Sequence, residues 1–192
     1  MPTVYIIAGC NGAGKTTFAN RYLPKCSERI EFVNADMIAK GLSPFNPAAF
    51  ALEAGKIMLN RLRELSSCNA DFGLETTLSG RTYLLRFREW RAQGYFLKLF
   101  FLWIQSPAEA RLRIDERVKK KGHDIQQATV QRRYVRGLAN LFEVYWDEVD
   151  EIYILDNSNL FPNVVASRQA GESLSIYDSV VFSKMKSLGV SR

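Results

Sequence analysis

Residues Gly9-Cys10-Asn11-Gly12-Ala13-Gly14-Lys15-Thr16 carry the most specific chemistry in this 192-residue chain. Their spacing is that of a phosphate loop, in which successive backbone N–H groups turn inward around an anion at the start of a helix. Gly9, Gly12 and Gly14 allow backbone conformations that a side chain resists. Cys10, Asn11 and Ala13 complete the cradle. Lys15 supplies a point charge for β- and γ-phosphates, and the Thr16 hydroxyl is the expected magnesium ligand. The residues therefore predict a site for ATP and Mg2+.

Acids and arginines elsewhere could move a proton or offset charge. Asp36 follows the apolar pair Phe32-Val33, where a carboxylate can take up the proton of an attacking hydroxyl; a helix cap or turn aspartate is the alternative. Glu75 closes another apolar run. It could orient an acceptor or hold magnesium through water, beside the hydroxyls of Thr76 and Thr77, or it could be a plain strand-end carboxylate. From Arg111 to Arg136 the chain is basic and helical in period. Arg113 and Arg117 share a face there, as do Arg132 and Arg136. Such a cluster can stabilise charge spreading over a transferring phosphoryl group, while any one of its arginines could equally sit on a solvated face beside Glu109, Asp115 or Glu116. His123, the single histidine, stands next to Gly122 and reads as a surface loop residue rather than a catalyst. Tyr134, Phe142, Tyr145 and Trp146 fall at helical spacing and read as core rather than as a base-stacking platform.

These residues need a frame, and five apolar runs supply it: Val4 to Gly9, Glu31 to Asp36, Asp71 to Glu75, Tyr95 to Ile104 and Glu151 to Asp156. Stretches of helical period separate them. The predicted fold class is α/β, a P-loop NTPase with a parallel sheet of about five strands, helices on both faces and a helical lid. Asn46-Pro47 and Ser106-Pro107-Ala108-Glu109 mark helix starts, each a capping residue followed by proline. One domain spans 1–192, with the lid at about 107–146 and a C-terminal hairpin and helix at about 159–192. The hairpin is expected between Val164 to Ser167 and Ser173 to Tyr177, around Gly171.

Composition bounds the class. With 47% apolar and 24% charged residues the chain is ordinary globular material. The run Tyr95 to Ile104, interrupted by Lys98, is too short to cross a bilayer, and the N-terminus opens on a strand pattern rather than a leader. A cytoplasmic protein without a membrane partner is expected. Cys10, Cys26 and Cys68 read as reduced thiols. The net charge of +6 favours an anionic partner without choosing among phosphate-bearing molecules, nucleic acid and membrane surface.

No guanine-reading Asn-Lys-x-Asp segment exists, so GTP specificity is not expected. Leu78-Ser79-Gly80 lacks the rest of an ABC-type signature. Ile152 to Asp156 looks like a magnesium-holding strand, yet it comes last, where small kinases place a nucleotide-base loop; Asn157 then becomes a nucleotide contact. A small-molecule kinase remains, working by positioning and charge neutralisation.

The chain resembles the zeta toxin-like P-loop kinases, also labelled predicted ABC-type ATPases, from about Val4 to Ser158. The resemblance rests on Gly9 to Thr17, Asn34-Ala35-Asp36 followed by Met37-Ile38-Ala39, and Phe72-Gly73-Leu74-Glu75-Thr76-Thr77. It continues through Arg117-Val118, Lys121-Gly122-His123-Asp124, Arg132-Arg133-Tyr134 and Asp156-Asn157-Ser158. It implies ATP and magnesium, with Asp36 as base, Glu75 as a substrate contact, and Arg117 with Arg132 or Arg133 as arginines gripping phosphate. Toxin members phosphorylate a hydroxyl of UDP-N-acetylglucosamine and are held inactive by a small antitoxin, which the resemblance implies as acceptor and partner.

The assignment that follows gives catalytic roles to Lys15, Asp36, Arg117 and Arg132. Gly9 through Thr17, Arg117 and Asn157 contact nucleotide; Asp36, Glu75, Thr76 and Arg133 contact the acceptor; Thr16 holds the metal. Two other functions compete with small-molecule phosphorylation: a nucleic-acid end kinase, which is less favoured, and an ATP-sensing module without chemistry.

Overall fold

A computed structural model describes residues 1–26, 30–119 and 124–190. The elements run β1 (Thr3–Ala8), α1 (Lys15–Tyr22), β2 (Glu31–Val33), α2 (Ala35–Leu42), α3 (Ala51–Ser67), β3 (Phe72–Thr76) and α4 (Thr82–Ala92). They continue with β4 (Phe96–Trp103), α5 (Pro107–Lys119), α6 (Gln127–Asn140), β5 (Glu151–Asp156), β6 (Asn163–Arg168), β7 (Ser175–Ile176) and α7 (Ser179–Val190). All seven strands form one sheet in the order β2-β3-β1-β4-β5-β6-β7. Strands β1 to β5 pair in parallel. The expected hairpin joins the sheet antiparallel, β6 against β5 and β7 against β6, so the count is seven rather than about five and the sheet is mixed.

The middle of the sheet explains the unbroken apolar runs. Strands covered on both faces lose the in–out alternation of a half-exposed strand, and Ile6, Ile7 and Ala8 of β1, like Leu99 to Trp103 of β4, are buried on both sides. Aromatic side chains fill the layer beneath: Phe72 meets Trp90 edge-on at 5.3 Å and Phe87 meets Tyr145 at 5.2 Å. No helix among the described residues is long and apolar enough to cross a membrane. All three cysteines are free.

Several boundaries differ from expectation for local reasons. Strand β2 stops at Val33 because the Asn34 side chain caps α2, accepting from the N–H groups of Asp36 (2.8 Å) and Met37 (3.1 Å). Asp36 thus lies in the first turn of a helix that it does not cap. Asn46 makes no capping bond; Pro47–Phe50 is a single 3-10 turn leading into α3. Ser106 does cap α5, its Oγ accepting from the Glu109 N–H at 3.1 Å, while the Glu109 carboxylate accepts from the Gln105 N–H at 3.3 Å.

Within 107–146, helix α6 is built into the core rather than laid over it. Val130, Tyr134 and Leu138 are buried, and the Tyr134 hydroxyl donates to the Ile104 carbonyl at 2.9 Å. One π-helical turn, Leu141–Tyr145, continues α6 and brings the Tyr145 hydroxyl to the Gly80 carbonyl at 2.8 Å. Tyr134 and Tyr145 are core residues. Phe142 and Trp146 stack at 5.5 Å beside Phe182 of α7. Lys121, Gly122 and His123 lie outside the described residues.

Candidate active site

Strand β1 delivers Gly9 to the carboxyl edge of the sheet, and the chain loops into α1 at Lys15. All three loop glycines stand at close approaches, and at Gly12 (φ 81°) a side chain would lie 2.6 Å from the Ala110 carbonyl oxygen. At Gly9 (φ 133°) a side chain would overlap the Leu102 carbonyl; at Gly14 (φ 85°) it would strike the Asn157 amide. Helix α1 has no side-chain cap and no acid in its first turn, so its leading N–H groups and positive dipole end face the loop.

Lys15 is only 5% exposed, with its Nζ donating to the Cys10 carbonyl at 2.8 Å and lying 3.5 Å from Glu75 Oε1. The Thr16 hydroxyl donates to Glu75 Oε2 at 2.7 Å, and Asn34 Nδ2 donates to the same oxygen at 2.7 Å. Burial pushes the Cys10 thiol up to about 11, against a smaller opposing pull from the Lys15 charge. Cys10 is therefore a neutral wall of the loop at neutral pH.

A cleft of about 960 Å³ opens from this point. Arg113, Arg117, Asn157, Leu160 and Phe161 line it, as do Arg21, Tyr22, Lys25, Met37 and Lys40. Lys15, Thr16, Glu75 and the exposed Asp36 lie along it together. Thr17 and Asn11 also line the cleft, whereas Thr76 does not: its hydroxyl accepts from the Leu78 N–H at 3.1 Å and shapes a turn. That turn holds Leu78 at φ 51°, and Thr77 is bonded to Ser79 at 2.8 Å.

The arginines divide by position. Arg133 Nη1 donates to Asn11 Oδ1 at 3.0 Å and braces the phosphate loop, while the neighbouring Arg132 is exposed and does not line the cleft. Arg117 is exposed and lines it. Arg113, to which sequence reasoning gave no separate role, donates to the carbonyls of Asn157 (2.9 Å) and Ser158 (2.8 Å) and is paired with Glu109 at 2.7 Å. Its signal was the face it shares with Arg117. Arg111 is engaged by Asp115 and Asp124, and its guanidinium holds the Asp115 carboxyl below the usual range.

Beyond β5, the Asn157 Nδ2 donates to the Ala13 carbonyl at 2.7 Å, joining the candidate base loop to the phosphate loop. Asp156 Oδ1 accepts from the N–H (2.9 Å) and hydroxyl (2.6 Å) of Ser158, so this carboxylate turns the chain. Asn34, Arg21, Lys25 and Lys40 are the residues that sequence reasoning passed over. Asn34 was visible in Asn-Ala-Asp, where the capping role was offered to Asp36. The three basic residues carry no local signature.

The donor chemistry suits magnesium. A hydroxyl (Thr16) and a carboxylate (Glu75) stand 2.7 Å apart, with a second carboxylate (Asp36) in the same cleft, and Mg2+ favours a few hard oxygen ligands completed by phosphate oxygens and water. Among the described residues no group of three or more His, Cys, Asp or Glu side chains forms a cage. The residues present would thus hold the ion together with nucleotide.

A mostly parallel sheet, a phosphate loop between its first strand and helix, and a cleft beyond the strand ends define the P-loop kinase fold. The zeta toxin family profile matches residues 1–180, and the chain belongs to that family. A relative in Haemophilus influenzae, described only as an uncharacterized protein, is 29% identical over 126 residues, covering 66% of this chain and 88% of that one. A chain of the AvrRxo1-ORF1:-ORF2 complex with ATP superposes with a TM-score of 0.82 at 17% identity; the match takes in 100% of this chain and 65% of that one, about two thirds of its length. A structure from the PezAT chromosomal toxin-antitoxin system of Streptococcus pneumoniae gives 0.68 at 16% identity over 98% and 84% of the two chains. A gluconokinase from Sinorhizobium meliloti gives 0.53 at 16% identity over 82% and 83%.

Proposed function

We propose that this chain is a magnesium-dependent kinase that transfers the γ-phosphate of ATP to a hydroxyl of a small anionic molecule, a UDP-amino sugar being the first to test. The observation that carries the reading is the cleft in which the phosphate loop, Glu75 and Asp36 meet, lined also by Arg21, Lys25, Lys40, Arg113 and Arg117. Loop N–H groups and Lys15 bind the β- and γ-phosphates, and Leu160, Phe161 and Asn157 border the base. Thr16 and Glu75 hold magnesium, which supplies charge neutralisation on the phosphates. Asp36 orients the acceptor hydroxyl and takes its proton. Arg117 offsets charge on the transferring group, with Arg113 fixing the strap at Asn157 and Ser158 against α5.

Acceptor charge is read in the same cleft. Arg21, Lys25 and Lys40 line it, and none has an ion-pair partner among the described residues. Desolvating three cations favours a ligand with phosphate or carboxylate groups. Family membership, together with the toxin–antitoxin system named for one neighbour, also supports a small antitoxin as a protein partner.

Transfer of labelled γ-phosphate to UDP-sugars, nucleosides, phosphorylated sugars and oligonucleotides tests the reading, with Lys15→Ala as control. Labelling of a small anionic acceptor supports it. Labelling of oligonucleotide ends alone would establish the nucleic-acid reading instead, and ATP bound but never consumed would leave a sensing module.

A further inference from the structure

We propose that Asn34 is a positioning residue for the magnesium–nucleotide site, setting with one amide both the aim of the Glu75 carboxylate and the start of the helix that carries Asp36. The inference rests on the nucleotide-site reading above.

Asn34 is 4% exposed and lies between β2 and α2, with backbone angles of φ −137° and ψ 118°. Its side chain faces two backbone N–H donors on one side and a carboxylate on the other. Only one amide orientation satisfies both: Oδ1 accepts from Asp36 and Met37, and Nδ2 donates to Glu75 Oε2. That same carboxylate oxygen accepts from Thr16, and its partner oxygen lies 3.5 Å from the Lys15 ammonium. One buried side chain therefore joins two oxygen donors of the site to the α2 turn.

The bifunctional amide distinguishes this from ordinary capping. Ser, Asp and Asn cap a helix about equally well, so a capping role alone tolerates any of them. None but Asn places an N–H donor toward Glu75 while its oxygen caps the helix. A partly buried carboxylate that loses one of its donors regains rotational freedom. Partners that orient a metal-site ligand typically contribute about 10- to 100-fold in metal affinity or activity.

Three variants separate the roles. Asn34→Ser keeps a capping oxygen and loses the amide donor, Asn34→Ala loses both, and Glu75→Gln removes the charge that Asn34 is said to aim. The first readout is thermal stability of the free protein. The second is the gain in ATP affinity produced by magnesium, measured by titration with the ion and with chelator, and it requires no acceptor. The third is phosphoryl transfer.

Asn34→Ser is expected to melt close to the parent and to lose about 10-fold or more of the magnesium-dependent gain, with a matching loss in transfer. Asn34→Ala should add a loss of thermal stability. Placing Asn34→Ser on Glu75→Gln should cost no further magnesium-dependent affinity, since both changes act on one group. A parent-like magnesium gain in Asn34→Ser, or losses that add in the double variant, would overturn the proposal. If the parent itself binds ATP no better with magnesium, the nucleotide-site reading falls and this inference with it. If only transfer is absent while the affinity cycle behaves as expected, the kinase reading alone is at fault.

Discussion

Lys15 is held almost without exposure between the Cys10 carbonyl and Glu75, so its ammonium is fixed where loop N–H groups converge. Charge-assisted bonds of this sort contribute about 1.5–3 kcal/mol, and Lys15→Ala should weaken ATP binding by roughly 10- to 100-fold with the fold intact. Calorimetric titration checks this; unchanged affinity would remove Lys15 from the phosphate site. Asp36 divides binding from chemistry. Since Asn34 and not Asp36 caps α2, Asp36→Asn should leave stability and ATP affinity near the parent while lowering transfer by about 100-fold or more. Single-turnover transfer beside ATP titration decides it, and parent-like transfer would show that no base acts from this position. Among the cysteines, burial and a thiol raised to about 11 protect Cys10, whereas Cys68 is exposed. At pH 8, an alkylating probe should label Cys68 first and leave Cys10 unmodified until the protein unfolds, as peptide mapping would reveal.

Among the elements, α6 ties the site to the core at three points. Arg133 braces the phosphate loop at Asn11, Asn140 Nδ2 donates to the Leu78 carbonyl at 2.6 Å, and Gly137 passes directly over Thr77. A methyl group at Gly137 would lie 2.7 Å from the Thr77 carbonyl oxygen. Crowding of this kind costs about 1–3 kcal/mol, against roughly 1 kcal/mol that alanine returns as helix propensity. Gly137→Ala should therefore lower the melting temperature, and an unchanged or raised value would mean that α6 shifts freely over β3. The same helix shows where reading from sequence reached its limit. Periodicity placed α5 and α6 correctly in the chain and marked Tyr134 and Tyr145 as core. It could not separate an overlying lid from a packed helix, because both bury one face at the same spacing. The place of the phosphate-loop pattern between β1 and α1 was legible, since that pattern sets glycine, lysine and threonine at fixed positions after a strand. Asn34 was passed over because the capping role in Asn-Ala-Asp was offered to Asp36, two residues on. Arg21, Lys25 and Lys40 escaped because three separate elements bring them to one cleft.

For the whole molecule, the proposed nucleotide binding would link distant parts of the sheet: the loop after β1, the carboxylate on β3, the arginines of α5 and the strap after β5. A ligand that binds only this assembled state stabilises it by about 2.7 kcal/mol at a concentration 100 times its Kd. At this chain length that corresponds to a rise in melting temperature of about 5–10 °C. Thermal scans with ATP analogue and magnesium should show the rise in the parent and most of it lost in Lys15→Ala; no shift in the parent would mean that the cleft does not close on nucleotide. The sheet order has a further consequence for how the protein is made. Strand β1 precedes β3 and β4 in the chain but lies between them, and the backbone that presses on Gly9 belongs to Leu102 while the amide beside Gly14 belongs to Asn157. A nascent chain thus carries its phosphate-binding residues long before it carries the walls that shape them. Nucleotide binding is therefore expected only once β4 and Asn157 have joined β1, and a chain cut before Asn157 is expected not to bind it.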